Sequence, residues 1–81
     1  MPLASLLQQA KFEPDTTQIL TAAFDQAWAQ LQASGSPLAD KASAESTRTL
    51  LAKRIIETGQ RGERDVGRLV EDALGYLANQ R

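Results

Sequence analysis

Four stretches of the chain carry apolar residues at helical spacing, and three breaks separate them. The breaks are Glu13-Pro14-Asp15, Gly35-Ser36-Pro37 and the segment from Gly59 to Gly62. In the first stretch Leu3, Leu6, Leu7 and Ala10 fall at i, i+3, i+4 and i+7, which predicts a short amphipathic helix or arm over about 3–11. A helix this short is marginal alone and needs a surface to dock on.

The second stretch predicts a helix over about 15–33. Leu20, Ala23, Phe24, Ala27, Trp28 and Leu31 lie within an arc of about 140° at 100° per residue. Asp15 followed by Gln18 resembles a capping box, and Gly35 suits a helix end. The third stretch predicts a helix over about 40–58, with Ala44, Leu51, Ala52, Ile55 and Ile56 on one face. Its start is open: Asp40 and Ser43 both offer one, and Ser36-Pro37 is also a capping sequence that would lengthen it by two turns. Two residues break its pattern. Arg48 falls inside the apolar arc, and Leu50 falls on the polar side among Lys53, Arg54 and Glu57. The fourth stretch predicts a helix over about 65–78, with Asp65 as N-cap and a stripe of Val66, Leu69, Val70, Ala73, Leu74 and Leu77. Gly67 and Gly75 lie off that stripe, where close approach by another backbone would offset their low helix propensity.

Three amphipathic helices with short connections predict an all-α three-helix bundle, with the 3–11 segment as lid or arm and residues 1–81 as a single domain. The composition agrees: Ala and Leu dominate the apolar set, and the strand formers are few, with three Ile, two Val, two Phe, one Tyr and one Trp. A core of this size leaves a small net stability, for which dimerisation is a common remedy. Leu3, Leu6, Leu7 and Leu50, with Arg54 and Arg64, form the candidate partner surface, and a homodimer is expected.

The chain has no Cys and no His, so thiolate chemistry, disulfides and the commonest metal ligand are excluded. Glu71 and Asp72 are adjacent and point about 100° apart on a helix, so they make no carboxylate pair. Gly59-Gln60-Arg61-Gly62 lacks the strand and the Lys-Ser/Thr of a phosphate loop. A non-enzymatic protein without cofactor or metal is therefore expected. No apolar run approaches the roughly 20 residues of a membrane span, and MPLASLLQQAKF lacks the marks of a secretory signal, so a cytoplasmic location is expected.

Net charge is −1, without the basic excess of a nucleic-acid binder. The most basic region runs from Arg48 to Arg68, with six basic residues (Arg48, Lys53, Arg54, Arg61, Arg64, Arg68) against three acidic ones. Its helix–connection–helix layout carries a nucleic-acid-associated regulator as the alternative function. Two features oppose it: Glu71 and Asp72 share the second helix, and aligning Gly59 as a turn glycine puts Arg54 and Asp65 where core residues belong. Arg48 itself must either snorkel to water or pair with a carboxylate of another helix, which would fix the bundle's register. Trp28 and Phe24, one turn apart, are read as core, with an aromatic pocket for a ligand or peptide as the other reading. Phe12 is read as an anchor for the N-terminal arm.

The stretch Ala52-Lys53-Arg54-Ile55-Ile56-Glu57, then Gly62-Glu63-Arg64-Asp65, then Leu69 and Ala73-Leu74 resembles a set of short, uncharacterised bacterial proteins. The resemblance covers about a quarter to a third of the chain. That set often has proline where this chain has Val66, which implies that residue 66 opens a helix capped by Asp65. It implies a bacterial cytoplasmic setting and no particular activity. The Gly62–Asp65 segment is itself readable as a well-made connection or as a recognition corner for a partner protein. The expected function is a non-enzymatic protein-interaction, regulatory or adaptor module.

Overall fold

The computed structural model describes residues 12–79. The expected helix over 3–11, and with it Leu3, Leu6 and Leu7, lies outside the described residues. Three helices pack against one another, α1 (Pro14–Ala33), α2 (Ala44–Gln60) and α3 (Val66–Ala78), with a 3₁₀ turn at Pro37–Ala39 and no strand among the described residues. The all-α three-helix bundle predicted from the apolar periodicity is therefore observed.

Each helix boundary has a local cause. α1 opens with Pro14 at its first position and extended Glu13 as N-cap, without a side-chain cap bond. Proline is pre-set for that position and lacks only an N–H that would be unpaired anyway. The expected capping role of Asp15 is thus corrected: Asp15 lies inside the first turn, where its charge suits the helix dipole. At the other end Ser36 N–H donates to the Leu31 carbonyl (3.1 Å) and Gly35 N–H to that of Gln32 (3.2 Å), with Gly35 at φ 67°. This paired arrangement needs a left-handed residue, which glycine supplies without strain. α2 ends in the same way, with Gly62 at φ 106° and Glu63 N–H donating to the Thr58 carbonyl at 3.3 Å.

Of the starts left open for the third helix, Ser43 is the one observed: it is the N-cap residue before Ala44, and a start at residue 40 is corrected. Ser36 Oγ accepts from Leu38 N–H at 3.2 Å, so Ser36-Pro37 does begin a helical turn. That turn closes after Ala39, and α2 begins afresh at Ala44. α2 also runs two residues past the expected end, because Gly59 sits within the helix. α3 begins as predicted: Asp65 is N-cap and its Oδ1 accepts from Arg68 N–H at 3.0 Å.

The described core consists of Leu20, Ala23, Ala27 and Leu31 from α1, Leu51, Ala52, Ile55 and Ile56 from α2, and Leu69, Val70, Ala73 and Leu77 from α3. Burying each of the larger side chains stabilises by roughly 1.5–3 kcal/mol. The alanines keep the helices close where they cross. Phe12, Phe24, Trp28 and Leu50 are half-buried and pack on the rim of this core. Trp28 and Phe24 are therefore rim residues, and Leu50 is not the exposed residue its polar neighbours suggested. Leu50 stands one turn before Arg54.

Helix directions follow from who meets whom. Leu20, early in α1, lies against Gly59, late in α2. Trp28, late in α1, lies under Arg48, early in α2. Thr58 and Arg54 meet Asp72 and Tyr76 in reverse order. The three helices therefore run up, down and up.

Gly59 is where close approach occurs: a Cβ there would stand 2.8 Å from Leu20 Cδ2, and Leu20 is fully buried. The close backbone approach expected at Gly67 and Gly75 is not found among the described residues. A Cβ on Gly67 would meet only the Asp65 cap, and one on Gly75 would meet nothing within 4 Å.

Two substitutions separate these roles. Gly75→Ala stabilises the bundle by about 0.5–1 kcal/mol, the helix-propensity difference. Gly59→Ala gains the same propensity but overpacks Leu20, and the net effect is a loss of about 1 kcal/mol. Equilibrium urea unfolding of both variants checks the opposite signs.

Candidate functional site

The densest polar cluster joins α2 to α3. Arg54 Nε donates to Asp72 Oδ2 at 2.7 Å and Arg54 Nη2 to Asp72 Oδ1 at 3.0 Å. Two parallel bonds from a planar fork to one carboxylate give both strength and orientation. Thr58 Oγ1 lies 2.8 Å from Asp72 Oδ2 and 2.9 Å from the Arg54 carbonyl oxygen, so its one hydrogen serves both acceptors in turn. The Arg54 guanidinium carbon also stands 5.0 Å from the centre of the Tyr76 ring. Glu57 Oε1 then accepts from Arg54 Nη1 at 3.3 Å and from Arg61 Nη2 at 3.0 Å.

This network shifts both partners. The hydrogen bonds from Arg54 hold the Asp72 carboxyl below its ordinary range, although desolvation opposes them, and Thr58 adds to the effect. The Arg54 guanidinium is held above its ordinary value, chiefly by the hydrogen bonds to Asp72.

The connection between α2 and α3 is hydrogen-bonded throughout. Glu63 Oε2 accepts from the N–H groups of Arg64 and Asp65. Arg64 Nη1 donates to the Gly59 carbonyl at 2.7 Å and to its neighbour Glu63's carbonyl at 2.8 Å. Gly59 sits in the last turn of α2, whose carbonyls lack helical partners. Of the two readings of Gly62–Asp65, the well-made connection describes this geometry.

The predicted site residues are thus dispersed. Arg54 is a helix-to-helix clamp rather than a free surface residue. Arg64 satisfies backbone carbonyls. Leu50 is half-buried. Of the two readings of Arg48, snorkelling describes the geometry and the ion pair is corrected: among the described residues the ion pairs belong to Arg54 and Arg61. Arg48 is exposed, with its guanidinium carbon 4.8 Å from the centre of the Trp28 ring. Near the start of α2 the side chain can reach over the indole and stay in water, which needs no carboxylate. Asp72 was missed as a partner. It lies 18 residues from Arg54, a spacing that no periodicity marks.

Two open depressions flank the end of the bundle where α1 ends and α2 begins. One, about 570 Å³, is lined by Ala42, Glu45, Ser46, Thr49 and Leu50. The other, about 340 Å³, lies among Gln30, Leu31, Ser34, Leu38, Leu74 and Ala78. Among the described residues no group of metal-ligating side chains converges, and no helix is long and apolar enough to cross a membrane. The chain matches no family model, no curated protein and no solved structure.

The clamp makes a signed prediction. Because folding lowers the Asp72 pKa, its contribution is present above the unfolded-state value and is lost as pH falls through the folded one, below about pH 4. Asp72→Asn costs about 1–2 kcal/mol at neutral pH and flattens the acid limb of the stability curve. Denaturant midpoints of both proteins between pH 7 and pH 2.5 would refute this if the two curves stay parallel.

Proposed function

We propose that this chain is a non-enzymatic interaction module that works by contact, as a homodimer or with another protein. The observation that carries this is a set of half-buried apolar side chains at the end of the bundle where α1 ends and α2 begins. Trp28, Leu38, Leu50 and Leu74 all sit on the rim of the core there. They pack on the bundle and still present surface that a partner would cover. Rims of this kind, apolar with polar neighbours such as Gln30, Glu45 and Thr49, have the make-up of protein interfaces. The core of this small domain also leaves a modest net stability, which an interface would raise.

The alternative, a nucleic-acid-associated regulator on Arg48–Arg68, draws less support from the same geometry. Arg54 and Arg61 are paired with Asp72 and Glu57, and Arg64 is turned to backbone carbonyls. Three of the six basic side chains are thus engaged within the bundle, which leaves fewer for a phosphate-facing surface. The resemblance of the Ala52–Leu74 stretch to bacterial proteins adds a bacterial cytoplasmic setting to the proposal.

The test has two arms. Sedimentation equilibrium from about 1 to 200 μM is expected to show self-association, with Leu50→Glu weakening it by roughly tenfold. Affinity capture from the native cell with mass spectrometry identifies any other partner. A chain that stays monomeric throughout and recovers only itself overturns the proposal.

A further inference from the structure

The bundle contains two arginines lying over aromatic rings, Arg54 over Tyr76 and Arg48 over Trp28. In the first, the guanidinium fork is filled by the Asp72 carboxylate at 2.7 and 3.0 Å. In the second, no carboxylate of the described residues takes that place, and Arg48 stands exposed. A guanidinium over a ring face keeps its N–H edge free for a planar, two-oxygen acceptor. We propose that Arg48 and Trp28 form a docking site for a carboxylate of a partner protein, carried on a segment with apolar neighbours.

Three features define the partner's chemistry. Arg48 offers a charge-assisted fork, which selects a carboxylate by shape and sign. Half-buried Trp28 and Phe24, one turn apart on α1, extend the site with aromatic surface. Trp and Arg are the residue types that most often dominate binding energy at protein interfaces. Finally, exposed Glu45 stands three residues before Arg48 and exposed Asp25 three before Trp28. Their charge disfavours a polyanion, so one Glu, Asp or terminal carboxylate beside apolar side chains fits better than a phosphate chain or an acidic run. The site rests on the interaction module proposed above and supplies its contact chemistry.

Trp28 is the sole tryptophan of the chain, so its fluorescence reports on this site alone. The full chain is titrated with acetyl-Leu-Glu-Leu-amide, with its Gln counterpart, and with a thymidine oligonucleotide. The Glu peptide is expected to change Trp28 emission saturably with a Kd in the millimolar range, and the Gln peptide to bind about tenfold more weakly. Arg48→Gln is expected to weaken the Glu peptide by about the same tenfold, and Arg48→Lys by less, because lysine keeps the charge without the fork. Arg48 is exposed, so circular dichroism and the melting temperature of both variants should match the parent. The inference is overturned by no saturable change up to about 10 mM peptide, by equal affinity for the two peptides, or by unchanged affinity in Arg48→Gln. Tighter binding of the oligonucleotide overturns the partner class. A chain that self-associates or captures partners but fails this titration loses the site and keeps the interaction module.

Discussion

Leu20 is buried where α1 passes Gly59 of α2, at a separation with no room for a Cβ. The rest of the bundle is arranged around that approach. A short chain has few large apolar side chains, and they bury fully only if the helices pack closely. A glycine on one helix lets a leucine of the other enter its surface. Ala23 and Ala27 on α1 and Ala52 on α2 are likewise fully buried, small residues that suit close packing. α3 then closes the core with Leu69, Val70, Ala73 and Leu77. The close approach also accounts for a helix that runs through its own glycine. Gly59 costs helix propensity, and burial of Leu20 against it offsets the loss.

Apolar stripes alone fix which faces meet, but they tolerate sliding, because leucine packs nearly as well one position along. The Arg54–Asp72 pair does not tolerate it. Its two hydrogen bonds require one height of α3 against α2, and Thr58 and Tyr76 enclose the pair at that height. Arg54 and Asp72 are 22% and 34% exposed, so neither side chain bears the full desolvation cost of a buried ion. A pair in this position gives orientation at moderate energy. The short, fully bonded connection from Gly62 to Asp65 has the same effect from the covalent side, since it leaves the hairpin little freedom to shift.

The parts of this fold that follow from local chemistry were readable in the sequence. The apolar period gave three helices, and Asp65, Gly35 and Gly62 marked ends that depend on a single side chain or a single positive φ. What could not be read depends on tertiary partners. Gly59 reads as punctuation because a glycine that ends a helix and one that admits a neighbour are the same letter. Asp15 reads as a cap, but Pro14 takes the first helical position and leaves Glu13 as N-cap. Ser36-Pro37 signalled a true start, but of a turn too short to merge with α2. Arg54 and Leu50 escape the sequence for one shared reason: helical angle assigns a residue to a side of its own helix and cannot say which element arrives there. Both lie on a flank that is polar by angle; Asp72 and Tyr76 of α3 reach Arg54, and Leu50 packs on the core. The site holding Arg48 is apolar by angle and stays open to water.

That last inversion bears on function. An arginine on an apolar arc must reach water or meet an acid. Arg48 stands at the rim, over an indole, on the same helix as an arginine whose fork is fully occupied. The difference between the two sites is the neighbour each can reach. α3 brings Asp72 to Arg54, and no described helix brings a carboxylate to Arg48. On the proposed reading the complement to Arg48 comes from outside the described bundle, and the rim aromatics beside it supply the apolar contact that makes such a charge pair more than a solvent-screened one.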